Sequence, residues 1–197
     1  MKKLTTLLAI MLMVISIQSY SQEQTKKPKE QIKPALLVID IQTAFMPMMS
    51  SDKEMAMEYI NALIDLFRKH GYPVIRVYHT SAEYGVTPGT DSFEFPSTVK
   101  ILPTDPKVVK TYADGFNKTD LDKVIKETGS NTLFLCGLSA TGCVLATWNG
   151  AQNHDYKAFL VKNAIISHNA DYTNQVEEIF DAVSYDLVQL LIENSGN

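Results

Sequence analysis

Two rhythms of apolar residues alternate along this chain, short unbroken runs and longer stretches with an apolar residue every third or fourth position. ALLVIDIQ is a near-continuous apolar run that closes on an acid, the pattern of a strand buried on both faces. Ser51-Asp52-Lys53-Glu54 then matches a capping box, and Ile60, Leu63, Ile64 and Phe67 follow at helical spacing until Gly71. YPVIRVYHT and KVVKTY are the second and third strands, and a Gly-, Pro-, Ser- and Asp-rich excursion, Ser81 to Pro106, runs between them. Excursions of that length inside a domain are functional or disordered as a rule. Thr119 and Asp122 open a helix that carries Leu121, Val124 and Ile125 and ends at Gly129. TLFLCG is the fourth strand, followed by a helix from Gly142 to His154, and YKAFLVKNAI is the fifth. A helix from Asn174 to Asp181, a short strand at Ala182 to Ser184 and a terminal helix in YDLVQLLIEN complete the pattern. Repeated βα units with buried strands predict an α/β fold, with a mainly parallel, doubly wound sheet of about six strands covered on both faces.

The two ends of the chain's first 34 residues read differently. Lys2 and Lys3 precede an apolar stretch from Leu4 to Ile17, and Ser19-Tyr20-Ser21 supplies small residues for cleavage. An apolar run of about 14 residues with those flanks is a secretory signal, 1–21, and is shorter than the roughly 20 residues that span a bilayer. Export to the periplasm or exterior is therefore expected, with no stable membrane anchor. Residues 22–34 are polar and charged without periodicity, a solvated linker, and a single domain, 35–197, follows. The formal net charge of −4 carries no basic patch, which argues against a nucleic-acid partner.

Candidate chemistry gathers at strand ends. Cys143 follows the glycine turn of LFLCGLSATGC, where a helix begins. Unpaired N–H groups and the positive end of the helix dipole would favour a thiolate there. Asp40 closes the first strand and Lys110 the third, and residues at the C-terminal ends of parallel strands converge on one crevice. Taken alone, Lys110 reads as a solvated strand end and Asp40 as a loop cap. His79, at the end of the second strand, could reach the same crevice and pair with Cys143. Cys136, inside an apolar strand, reads as core, and a bridge to Cys143 would demand a tightly folded-back turn. Phe45, Tyr112, Phe116 and Trp148 are candidates for lining a small substrate pocket. Phe93 and Phe95 either close that pocket or anchor the long excursion.

Three motifs together, LLVIDIQTAF with Asp40, VVKTYADGFNKTDL with Lys110 and CGLSATGCVLAT with Cys143, resemble the isochorismatase-like hydrolase superfamily. These are the cysteine hydrolases related to nicotinamidase and N-carbamoylsarcosine amidase, and the resemblance runs from Ala35 to the C-terminus. It implies a three-layer α/β/α sandwich and a Cys/Asp/Lys triad: Cys143 as nucleophile, Asp40 as general base, Lys110 as the cation that keeps Asp40 ionised. It further implies a cis Leu138-Ser139 peptide and an oxyanion hole formed by the backbone N–H groups of Ser139 and Cys143. The substrate class is then a small amide, ureide or N-carbamoyl compound, with a homo-oligomer as the assembly. The chain departs from nicotinamidases in lacking their Asp-x-His and accompanying histidines between Asp40 and Thr90, where only His70 and His79 occur. No metal and no other cofactor is expected on that ground. Ala140 and Gly142 stand where the family often has Thr and a larger residue, which leaves the substrate open. The alternatives are a small-molecule binding protein without catalysis and a thiol-redox protein on the same fold.

Overall fold

The computed structural model describes residues 31–50 and 52–195. The leader 1–21, residues 22–30 of the linker and Ser51 lie outside them. Five apolar runs become five strands, β1 (Pro34–Ile39), β2 (Val74–His79), β3 (Lys107–Lys110), β4 (Thr132–Leu138) and β5 (Lys157–Ile166). They form one parallel sheet in the order β3-β2-β1-β4-β5. All residues of β1 and β4 are buried, as strands covered on both faces must be. Helices α1 (Lys53–Lys69), α2 (Leu121–Glu127), α3 (Leu145–Asn153), α4 (Ala170–Ile179) and α5 (Tyr185–Asn194) connect or follow the strands.

Alternate residues of the strands feed two separate cores. Leu36, Val38, Phe134 and Cys136 pack with Ile60, Leu63 and Phe67 of α1 and with Val188 and Ile192 of α5. Leu37, Ile39, Leu133 and Leu135 pack on the other face with Leu121 and Ile125 of α2, Ala151 of α3 and Val176 of α4. The result is three layers, helix on sheet on helix. Strand order reverses direction between β1 and β4, and the crevice outside their C-terminal ends is where open α/β sheets bind ligands. The two strands approach closely there. A Cβ on Gly137, whose φ is +117°, would lie 2.1 Å from the carbonyl oxygen of Ile39, so only glycine fits.

Several local expectations are corrected. The sixth strand is reduced to one parallel bridge between Val183 and Val161, because α4 ends at Ile179 and α5 starts at Tyr185, with Asp181 turning the chain at φ 48°. The fourth helix starts earlier than Asn174, at Ala170, where the side chain of Asn169 accepts from the N–H of Asp171 at 2.8 Å. The first helix starts at Lys53, and Ser51 of the expected capping box lies outside the described residues. The helix expected from Gly142 is regular only from Leu145, and Ala140–Val144 is a wide π-type turn broken by a non-helical Gly142.

The excursion before β3 is tied to the sheet along its length. Phe93 and Phe95 stack on Tyr78 at centroid distances of 5.0 and 4.2 Å and are buried, so they anchor the segment. Arg76 donates to the carbonyls of Pro103 and Asp105, and Arg68 pairs with the Asp105 carboxylate at 2.9 Å.

Candidate active site

Four strand ends deliver four side chains to the crevice. Asp40 immediately follows β1 in a left-handed conformation (φ 53°) that Asp tolerates better than most residues, and its N–H donates to the carbonyl of Val77 at 2.9 Å. That turn sends the carboxyl into the protein, where the residue is 3 % exposed. Lys110 closes β3, a short strand whose residues alternate exposed and buried, and falls on the buried side at 1 % exposure. Its reading as a solvated strand end is overturned by that alternation. Lys110 Nζ donates to Asp40 Oδ2 at 2.7 Å and lies 3.3 Å from His79 Nδ1. Cys143 arrives from the turn after β4 and is partly exposed. Potential ligand atoms of Asp40, His79 and Cys143 all lie within 4.8 Å of one another.

The electrostatics follow from burial and sign. Burial pushes the Asp40 carboxyl above the usual carboxylate range, and the Lys110 ammonium opposes that push. Burial, then the Lys110 charge, lowers the basicity of His79, so its imidazole is neutral near pH 7. A lysine only donates, so Nδ1 of that neutral ring is the acceptor and the proton sits on Nε2. The Cys143 thiol is pushed up to about 11, first by burial and then by the Asp40 carboxylate. The expectation of a resting thiolate is thereby corrected. Cys143 sits in the broken π turn two residues before the regular helix, and the nearby anion outweighs the helix end.

The turn itself carries a cis peptide between Leu138 and Ser139, and the carbonyl of Ser139 accepts from the N–H groups of Gly142 and Val144 at 2.8 and 3.2 Å. Two clasps hold the converging loops. Gln42, fully buried, accepts from the N–H of His79 at 2.7 Å and donates to the carbonyls of His79 and Phe93, both at 2.9 Å. Thr147, also fully buried, accepts from the N–H of Gly115 at 2.9 Å and so ties the segment after Lys110 to the helix after Cys143. Gly150 on that helix admits the Asp114 side chain, since a Cβ there would meet Asp114 Oδ1 at 2.2 Å. Sequence reasoning missed both clasps. Gln42 had a signal, an amide interrupting an apolar run two residues after Asp40.

The aromatic candidates separate. The Phe45 ring centroid is 6.2 Å from that of His79, which puts it beside the crevice. Phe116 instead stacks on His154 at 4.7 Å and on Tyr156 at 6.0 Å, as part of the helical layer. Trp148 donates to the carbonyl of Ala158 at 3.0 Å and packs edge-on against Phe180, again in that layer. Tyr112 is 43 % exposed, with its hydroxyl accepting from Lys118 at 3.1 Å. Phe116, in the turn segment before α2, and Trp148, on α3, are held in the helical layer by these contacts.

A family model described as the isochorismatase domain matches residues 34–184. This chain belongs to the isochorismatase family. It is an isochorismatase-family hydrolase. It is 25% identical over 162 residues to the isochorismatase family protein YrdC of Bacillus subtilis, covering 80% of this chain and 86% of that one. It is 31% identical over 133 residues to the streptothricin hydrolase of Streptomyces noursei, covering 66% of this chain and 48% of the relative. Among solved structures, the N-carbamoylsarcosine amidase of Thermoplasma acidophilum superposes with a TM-score of 0.67 at 24% identity, over 78% of this chain and 95% of that one. The pyrazinamidase of Pyrococcus horikoshii, solved in complex with zinc, superposes with a TM-score of 0.69 at 21% identity, over 78% of this chain and 99% of that one. These structures share the fold of this isochorismatase-family protein. The histidine-rich metal set of nicotinamidases does not fit this chain. His70 caps the C-terminal end of α1, before β2, at the opposite end of that strand from His79.

Proposed function

We propose that this protein is an exported cysteine hydrolase that cleaves a C–N bond in a small amide, ureide or N-carbamoyl compound. One observation carries the reading: a single buried carboxylate, Asp40, stands between a buried ammonium and a thiol. Family membership supports hydrolysis, and the names of two relatives, a streptothricin hydrolase and an N-carbamoylsarcosine amidase, support the class. The leader at 1–21 supports export. The resemblance also supports an assembly of identical copies.

The reactive form of the site pairs the protonated Cys143 thiol with an ionised Asp40 held by Lys110. Asp40 takes the thiol proton as the Cys143 sulfur bonds to the substrate carbonyl carbon, so no free thiolate has to accumulate. Charge grows on the carbonyl oxygen and is received by the N–H groups of Ser139 and Cys143, each worth about 100-fold or more in rate. The intermediate collapses, the C–N bond breaks, and Asp40 returns the proton to the departing ammonia or amine. Water then adds to the thioester with Asp40 again as base, which releases the acid and restores the thiol. Lys110 holds Asp40 ionised in spite of its burial and fixes which oxygen faces the thiol. His79, neutral, shares the lysine and orients it.

A carboxyl whose pKa is raised by burial holds a proton more readily than an ordinary carboxylate, which suits it to take the thiol proton and pass it on. The thiol-redox alternative loses its second partner. Cys136 packs on the opposite face of the sheet from Cys143, and its thiol donates to the carbonyl of Leu37 at 3.5 Å. The test is ammonia or amine release from a panel of amides, ureides and N-carbamoyl amino acids, with intact-mass detection of an acyl group on Cys143. Full activity in Cys143→Ala would sink the mechanism.

A further inference from the structure

The crevice contains more metal-binding capacity than the proposed hydrolysis uses. Asp40, His79 and Cys143 offer an oxygen, a nitrogen and a sulfur within 4.8 Å of one another. Asp40 spends Oδ2 on Lys110, while Oδ1 is buried without a hydrogen-bond partner. An unpartnered buried carboxylate oxygen beside a thiol and an imidazole is an open acceptor position. His79 and Cys143 are both partly exposed, so an ion reaches the three from solvent. Gln42 grips the backbone of His79 on both sides, which holds the imidazole at the rim.

We infer that Asp40, His79 and Cys143 form a binding site for a thiophilic divalent cation, Zn²⁺ being the best match, and that its occupation switches the thiol off. Cysteine sulfur, histidine nitrogen and carboxylate oxygen are all zinc ligands, and three protein ligands leave a fourth tetrahedral position to water. Tetrahedral zinc places such ligand atoms roughly 3.3–3.6 Å apart, so side-chain adjustments of about an ångström close the shell. Binding exchanges the thiol proton for the metal: the S–H bond breaks, an S–Zn bond forms, and one proton leaves to solvent without any change in oxidation state. The metal then covers both the sulfur that would attack and the carboxylate oxygen that would take its proton. That inhibitory consequence rests on the proposed hydrolase reading, whereas the binding does not.

Lys110 is the counterweight. Its ammonium already sits 2.7 Å from Asp40 Oδ2 and 3.3 Å from His79 Nδ1, like a resident cation in the same cradle. It repels a second cation and competes for the imidazole nitrogen. Zinc binding is therefore reversible and weaker than at a structural zinc site, and removing the ammonium strengthens it.

The experiment uses the mature protein stripped with chelator and titrated with Co²⁺ and then Zn²⁺, with no substrate present. The expected result is a thiolate-to-cobalt charge-transfer band saturating at about one equivalent, displaced by Zn²⁺, with release of one proton per metal. Zinc should also protect Cys143 from alkylation in peptide mass mapping. Cys143→Ser should lose the band, His79→Ala should weaken binding about tenfold or more, and Lys110→Met should tighten it about tenfold. Absence of both band and protection at millimolar metal would overturn the site. So would His79→Ala binding as tightly as the unaltered protein, which would mean a simple thiol adduct. Both results are read without turnover, so they leave the hydrolase reading standing; conversely, a protein that binds zinc here but hydrolyses no amide keeps this site and loses that reading.

Discussion

Cys136 and Cys143 belong to the same stretch of chain, yet the sheet lies between them. Cys136 is in β4, fully buried against the α1 and α5 layer, and burial alone drives its thiol far above the ordinary range. Cys143 has passed the end of β4 and packs, half-covered, on the other layer, with Asp40, Lys110 and His79 around it. Both thiols are protonated at neutral pH. What separates them is a proton acceptor in reach, because a neutral thiol beside a carboxylate can be deprotonated as it attacks, whereas one enclosed by hydrocarbon cannot. In the proposed mechanism, reactivity is a property of the crevice and not of a perturbed resting thiol.

The comparison can be broken in several ways, and the largest effect is expected at Cys143, the proposed nucleophile. Cys143→Ala abolishes hydrolysis to the background rate, while Cys136→Ala leaves kcat unchanged; equal losses in the two variants would dissolve the distinction. Asp40→Asn keeps the shape of the site but cannot accept the proton, and a loss of about 10²–10⁴-fold in kcat is expected. Lys110→Met leaves the Asp40 carboxylate buried and unpaired, which costs about 3–5 kcal/mol of stability by chemical denaturation, in addition to activity.

The pH dependence sharpens the picture further. Alkylation of Cys143 followed against pH should show a midpoint near 11, the value to which burial and Asp40 push it, with Cys136 unreactive until the protein unfolds. A midpoint below the free-thiol value of about 8.5 would show that the turn activates the thiol before substrate arrives. By contrast, kcat/KM should fall on the acid side as Asp40 protonates, at a pH above the ordinary carboxylate range because its pKa is raised. The smallest effect belongs to the inert cysteine: Cys136→Ala removes one buried sulfur and should cost about 1 kcal/mol of stability.

His79 shows how closely the site depends on neighbours. As a strand-ending histidine it offers two opposite roles, a base paired to the thiol or a plain hydrogen-bonding residue. Burial, then the adjacent ammonium, keeps the ring neutral, and the ammonium turns its Nδ1 into an acceptor, which makes it a partner of Lys110. Phe116 and Trp148 teach the converse. Both stand within a few residues of Lys110 or Cys143 in sequence, and both are carried away from the crevice by the local fold.

The order of strands and helices, the burial of β1 and β4, and the position of Asp40, Lys110 and Cys143 at strand or turn ends were legible from the chain alone. Those features are local: apolar runs, helical spacing and glycine turns act over a few residues, and parallel βα units leave few ways to arrange them. The five-strand count, the wide turn carrying Cys143, the burial of Lys110, the Gln42 and Thr147 clasps and the protonated state of the thiol were decided only by tertiary structure. Each depends on groups brought together from distant parts of the chain, where desolvation and the sign of a neighbouring charge set the energy. A sequence displays the residues that can carry charge. It does not display which of them lose water together, and in this protein that shared desolvation is what turns a lysine, an aspartate and a cysteine into a site.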